Sequence, residues 1–351
     1  MKLAKWLVMV VAATAQAVAQ NVPANVAVPF YGPPAFVQGV YQHWYAPRAN
    51  EFATEAAALP VAIGRLCDAN GAAATEPLRD ARARWQSAAL AWDALSSIAA
   101  GPLLQRRSTR QIDFTPTRPE LIARAIRANP ADAQAMERVG TPAKGFPALE
   151  WLLWTQPVAA GTPACRYALL VAQEIDAEAQ ALARAFGDLA ARNWAADESA
   201  AVAAMSELLN QWVGGLERLR WAHMEKPLRG AQGSVAPAYP RAASGTTQES
   251  WTAQWRGLRA LGAAQGNEAP RPGAGLVPLE TYLRGRGLNP LANELAGAAW
   301  QVSKELDAAN PSQATRTLAA ARSLSSLKRL AETQLAPALE VNIGFSDSDG
   351  D

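Results

Sequence analysis

Apolar residues recur along this chain at spacings of three and four, and no stretch of useful length alternates with period two. The clearest run is 199–226. There Val202, Met205, Leu209, Trp212, Leu216 and Leu219 form one seam that must face other helices. A second pattern runs from about Ala35 to Cys67, with Phe52, Leu59, Ile63 and Leu66 on one face and breaks or kinks predicted at Pro47 and Pro60. Trp85, Ala89, Trp92 and Ser96 share a face of a helix that Gly101-Pro102 ends. Leu182, Phe186 and Leu189 align within 165–194, and Trp251, Trp255 and Leu258 within 248–262. Leu291, Leu295, Ala298, Val302 and Leu306, then Leu318, Leu324 and Leu327, mark two more helices, separated by Asn310-Pro311-Ser312.

The stretches between these patterns carry the turn residues. Residues 105–118 read as an arginine-rich connection, followed by a short helix over Pro119 to Ala128. Residues 145–154 read as another short helix, with Pro147 at its first position, where a missing N–H costs nothing. Residues 227–247 and 264–275 read as Gly/Pro-rich loops. The pattern therefore predicts an all-α protein: an up-and-down helical bundle, built as two packed bundles over approximate halves 35–195 and 196–345. The segments 85–95 (WQSAALAWDAL) and 251–261 (WTAQWRGLRAL) are faintly alike, which chance in an Ala- and Trp-rich chain also produces.

Composition narrows the setting. Half of the 351 residues are hydrophobic, enough for one large core or two ordinary ones. A net charge of +2 gives no strong pull toward nucleic acid or an anionic membrane. At the N-terminus, Lys2 and Lys5 precede a short apolar stretch from Trp6 to Ala13, and Ala17-Val18-Ala19 forms a small-residue cleavage site. Residues 1–19 thus read as an export signal, too short in its apolar part to span about 30 Å of hydrocarbon. Residues 20–34, with Pro23, Pro29, Gly32, Pro33 and Pro34, read as an extended leader to a domain at 35–351. No later segment reads as a transmembrane helix, and the address implied is secretion to a periplasm.

Cys67 and Cys165 are the only cysteines. They form either one bridge or two separate buried thiols, and export favours the bridge. Such a bridge would close a loop of roughly 100 residues and contribute about 4–5 kcal/mol in the chain-entropy model.

Several local features taken together resemble one family. They are Leu66-Cys67 closing an early helix, ARARW at 81–85, GFPALEWLLW at 145–154, EKPL at 225–228 and GFSDSDGD at 344–351. In this order the chain resembles the imelysin-like proteins, secreted helical proteins classed as peptidases, over residues 35 to 351. The resemblance implies two packed helical bundles, exposure to the periplasm or exterior, and a link to iron or other metal acquisition. Gly145 and Glu150 match the glycine and glutamate of the family's G-x-H-x-x-E motif, and Pro147 stands in place of its histidine.

That replacement weighs against an enzyme. A zinc peptidase needs three N, S or O ligands and an activated water. The chain's two histidines, His43 and His223, are far apart, and neither has a histidine one turn away. G-x-S-x-G is absent as well. Glu150 is the leading candidate to meet a ligand or to coordinate a metal such as iron. Its bland alternatives are a favourable place near a helix N-terminus or an ion pair with arginine. Asp113, Arg107 and Arg118, with Arg106 and Arg110, could line the same cleft and suit an anionic ligand or ferric chelate. Otherwise they are solvated, or paired with Asp113 and Glu150. Phe114-Thr115-Pro116-Thr117 lacks the acidic residue that related sequences often carry there.

Trp85, Trp92, Trp212 and Trp251 sit at core spacing, His223 reads as a capping or surface residue, and Asp347, Asp349 and Asp351 read as a solvated acidic tail. The leading expectation is a non-catalytic accessory to metal uptake whose partner is a metal or metal chelate. The alternatives are a metallopeptidase-like enzyme and an interaction module for an envelope protein partner.

Overall fold

The computed structural model describes residues 28–69, 74–231, 236–266 and 268–344. The export signal, most of the leader and the tail beyond Gly344 lie outside the described residues. Every regular element described is helical. In chain order these are α1 (Pro33–Val40), α2 (Ala46–Asp68), α3 (Thr75–Ser96), α4 (Pro102–Gln105), α5 (Ser108–Ile112), α6 (Pro119–Ala128) and α7 (Ala133–Met136). Then come α8 (Gly145–Glu150), α9 (Pro163–Ala191), α10 (Glu198–Glu217), α11 (Lys226–Gly230) and α12 (Thr247–Gly262). The last are α13 (Leu279–Arg284), α14 (Asn289–Asp307), α15 (Ala314–Leu330) and α16 (Ala336–Ala338). No helix among the described residues is long and apolar enough to cross a membrane.

Pro47 and Pro60 do not break the first long pattern. The chain stays helical from Pro33 to Asp68, passing through a π turn at Tyr41–Tyr45. Three more π turns occur, at Trp151–Thr155, Arg218–Glu225 and Ala331–Leu335. Each of the four ends two residues before a proline: Pro47, Pro157, Pro227 and Pro337. Proline has no N–H to give and crowds the carbonyl four residues back, and a wider i→i+5 turn relieves both constraints. At Pro47, Pro227 and Pro337 the helix runs on past the proline, while at Pro157 it ends.

The amphipathic faces pack as their spacing requires. α2 lies against both α3 and α9, α14 pairs with α15, and α15 also meets the π turn that extends α10. α3 packs on α12, and α1 on α10. Met205, Leu209, Trp212 and Leu216 are buried along α10, and Leu219 on the π turn after it, while Val202 near its start is half exposed and Ala201 is buried instead. Leu318 likewise faces out at the start of α15, where Thr317 turns in. Trp85, Trp92, Trp212 and Trp251 are buried core residues. One apolar core runs through all these helices.

The α3–α12 contact is close because Gly257 has no side chain. A Cβ there would stand 2.3 Å from Ser97 Oγ and 2.7 Å from the Ala94 carbonyl oxygen. Two tryptophans donate into the same stretch of α12, Trp44 Nε1 to the Gly257 carbonyl and Trp212 Nε1 to the Leu258 carbonyl, both at 2.9 Å. Cys67 at the end of α2 and Cys165 at the start of α9 form a disulfide, with their Cα atoms 5.6 Å apart.

Candidate functional site

The polar centre of the molecule is assembled at the C-terminal part of α3, where four distant segments meet. α3 supplies Trp92 and Asp93, the residue after α5 supplies Asp113, α8 supplies Glu150, and the segment before α12 supplies Arg241 and Ser244. Asp113 follows Ile112, and the Ile112 backbone presses on Gly145. A Cβ on Gly145 would sit 2.1 Å from the Ile112 oxygen, and Gly145 has φ +74°. Glycine alone accepts both constraints without strain. It thereby sets the Asp113 segment against the start of the helix that carries Glu150.

Arg241 is the hub. Its side chain is 2 % exposed, and its guanidinium bridges two carboxylates. Nη2 donates to Asp93 Oδ1 at 3.0 Å and to Asp113 Oδ2 at 2.8 Å, and Nη1 donates to Asp113 Oδ1 at 2.9 Å. Trp92 Nε1 adds a bond to Asp113 Oδ2 at 2.9 Å. The rings of Trp85 and Phe146 lie under the guanidinium at 5.5 and 5.3 Å, an arrangement that suits a weakly hydrated planar cation. Arg241 adopts φ +64° to reach this position.

Glu150 is held by the same segment. Ser244 donates from its backbone N–H and from its hydroxyl to Glu150 Oε1, at 2.8 and 2.7 Å. Oε2 accepts no hydrogen bond from the described residues. The helix begins at Gly145, so Pro147 is its third residue rather than its first, and Glu150 is its last. Ser244, and neither the helix N-terminus nor an arginine, is what holds the Glu150 carboxylate.

Two further cationic or titratable groups face this centre. Arg218 donates to the Ser96 and Ser97 carbonyls at 2.6 and 3.0 Å, closing the end of α3. His223 is not a surface cap. It is partly buried on the π turn after α10, with Nδ1 3.0 Å from Gln254 Nε2. Burial, followed by the charges of Arg218 and Arg241, pushes its pKa down to about 3. The ring is therefore neutral, with Nδ1 as acceptor and the proton on Nε2. Burial pushes the Asp93 carboxyl up to about 6 against the opposing pull of Arg241, while the Asp113 charge adds to the rise. Burial also works against the Arg241 charge, but Asp113 and Asp93 more than offset it, and its pKa rises.

Of the residues singled out from sequence, the fold brings Gly145, Glu150 and Asp113 into one region. Arg107 and Arg118 are exposed at the N-termini of α5 and α6 and make no ion pair with the described residues. Arg106 instead holds the buried Glu178 with both arms, at 3.0 and 2.6 Å. Arg241, Ser244 and Asp93 were not among the residues singled out. Asp93 is masked by an apolar helix face, and the other two lie in a loop with no period to read.

The residues present do not fit a bare divalent ion. Pro147 offers no donor, and Asp93 and Asp113 are committed to Arg241. Among the described residues no three His, Cys, Asp or Glu side chains converge as a metal site would require.

An all-helical bundle enclosing a buried Asp–Arg–Asp hub and a serine-capped glutamate defines the structural class. The family model of imelysin, named as a peptidase family, matches residues 45–336, and the chain belongs to that family. Among solved structures, an imelysin-like protein from Psychrobacter arcticum is similar at 18% identity and a TM-score of 0.70, covering 91% of this chain and 100% of that one. A protein from Parabacteroides distasonis, called an iron-regulated protein A precursor, is similar at 14% identity and a TM-score of 0.67, covering 85% of this chain and 93% of that one. Both likenesses are of fold. No curated protein matches the chain.

Proposed function

We propose that this chain is a non-catalytic accessory protein of the bacterial envelope that serves metal acquisition, iron foremost, by binding a metal chelate rather than by cleaving peptide bonds. The observation that carries this reading is the Arg241 bridge. A guanidinium occupies two of the three carboxylates at this centre, and a proline stands where the motif histidine belongs. Glu150 keeps Oε2 for a ligand, with Gly145 and Asp113 behind it. Arg107 and Arg118, on either side of Asp113 in sequence, are the exposed cations an anionic chelate would meet. In a chelate the ligand supplies most of the metal's donors, so a site with one open carboxylate oxygen suffices.

Location in an oxidising compartment is supported by the Cys67–Cys165 bridge and by the export pattern of residues 1–19. The iron-regulated name of the Parabacteroides distasonis protein favours iron as the metal served.

The test of the non-catalytic part is incubation of the mature protein with an unfolded protein substrate, with and without added zinc. No cleavage is expected. Cleavage that disappears in a Glu150→Gln variant would overturn the reading and restore the peptidase.

A further inference from the structure

The net charge of +2 conceals an uneven distribution. Residues 101–144 hold eight of the 33 Lys and Arg and four of the 31 Asp and Glu, so the rest of the chain is net acidic. The fold gathers this surplus on one side. α4, α5, α6 and α7 each pack against α9 and form a layer of short helices over it. Two acidic residues one turn apart on α9 pin that layer. Glu178 accepts from Arg106 and, at 2.6 Å, from the Ser108 hydroxyl, and Glu174 accepts from Lys144 Nζ at 2.8 Å.

Pinning the layer uses up its inward charges. Arg106 and Lys144 are neutralised on α9, and Asp113 by Arg241. Six arginines remain on the outer side: Arg107, Arg110, Arg118, Arg124, Arg127 and Arg138. All are exposed, and none makes an ion pair or a side-chain hydrogen bond with another described residue. Only Glu120, Asp132 and Glu137 are exposed acids of the same stretch. α6 shows why its cations point outward. Ile122 and Ala125 face the core, which leaves Arg124 and Arg127, one turn apart, on the opposite face.

An acidic protein and an anionic membrane both attract such a face, and its apolar content decides between them. A protein interface has a centre depleted of charge, with aromatic and aliphatic anchors. Within 101–144, Leu104 is the one large apolar side chain exposed among the described residues. A layer of lipid headgroups needs no such anchor. Each cation near it contributes by long-range attraction, and a guanidinium can take a phosphate with two N–H groups.

We propose that the outer side of the α4–α7 layer is a docking face for anionic phospholipid headgroups, held there by these arginines. Attachment is peripheral, since no helix among the described residues is long and apolar enough to cross a membrane. The face uses neither Glu150 nor Arg241, so it stands or falls apart from the metal-chelate reading.

The experiment is co-sedimentation of the full mature chain with vesicles of phosphatidylcholine alone, or with about one third phosphatidylglycerol. Binding is expected to the anionic vesicles only, with release in about 1 M salt, where charges are screened within about 3 Å. Arg124→Glu with Arg127→Glu is expected to weaken binding at least about tenfold. Arg316→Glu with Arg329→Glu, the same change of charge at exposed positions of α15, is expected to leave most of it. All four positions are exposed, so the thermal midpoint should stay near that of the wild type. No binding to anionic vesicles overturns the proposal, and so does equal loss from both pairs, which would make net charge alone the cause. Capture of soluble polyglutamate without capture of the vesicles would make the partner an acidic protein, which also overturns it.

Discussion

Ser244 gives two hydrogen bonds to a single oxygen of Glu150, one from its main chain at 2.8 Å and one from its hydroxyl at 2.7 Å. The motif glutamate is thus fixed by a loop 94 residues away in sequence. Ser244→Ala removes the hydroxyl bond and keeps the amide bond. The expected cost is about 1.5–3 kcal/mol, the range for a hydrogen bond to a charged group. Urea unfolding of the variant beside the wild type measures it. An unchanged midpoint would show that the hydroxyl bond is not formed in solution.

Removing Arg241 leaves Asp93 and Asp113 facing each other in the interior. Arg241→Leu is expected to cost about 3–5 kcal/mol, as when one partner of a buried ion pair is lost. The sign of its pH dependence follows from Asp93. Burial already raises this carboxyl to about 6 with Arg241 present, and without Arg241 the opposing pull is gone. A carboxyl with a raised folded pKa favours the folded state below its ordinary value, and that advantage is lost as pH rises through the folded value. The variant should therefore lie closer to the wild type at pH 5 than at pH 8, which denaturation at the two pH values will show.

His223 acts in the opposite direction. With a folded pKa of about 3, it stays neutral when the unfolded chain's histidine, near 6.5, has already taken a proton. Its stabilisation is present above pH ~6.5 and is lost as pH falls toward 3. Protonation would also set an N–H against the Gln254 amide that Nδ1 now faces. His223→Gln is expected to flatten the loss of stability between pH 6.5 and 4. Equal slopes in variant and wild type would mean that the ring is not sequestered.

Gly145→Ala places a Cβ 2.1 Å from the Ile112 oxygen, at φ +74°. Backbone strain alone costs about 1–3 kcal/mol, and the Asp113 segment must also move. A lower thermal midpoint is expected, together with altered emission from Trp92, whose indole bonds Asp113.

The helices were legible in the sequence to the extent that packing faces repeat. The seam at Met205, Leu209, Trp212, Leu216 and Leu219 needed only periodicity, and the short helix at 145–154 was legible from its proline, although it starts two residues before Pro147. α13 was not, because six residues carry too little period to read. The pattern over 35–67 ran on past Pro47 in the sequence, but the π turn beside that proline leaves no mark in hydrophobic spacing. In the candidate site, Glu150 and Gly145 came from the motif, and Asp113 from the arginine-rich connection at 105–118. Arg241 did not, for its partners lie 148 and 128 residues away and its φ of +64° belongs to a loop conformation. Nor could the sequence show that Arg106 pairs with Glu178, a partner 72 residues away along the chain.

In the proposed role, a chelated metal and not a bare ion is bound through Glu150. Isothermal titration of the mature protein with ferric citrate, ferrous iron, zinc and copper, beside a Glu150→Ala variant, tests it most directly. Saturable heat is expected with ferric citrate, lost in the variant, and none with the bare cations. Tight binding of a bare cation would contradict it by requiring a donor set that Arg241 now occupies, and silence with every species would contradict the metal-uptake role itself.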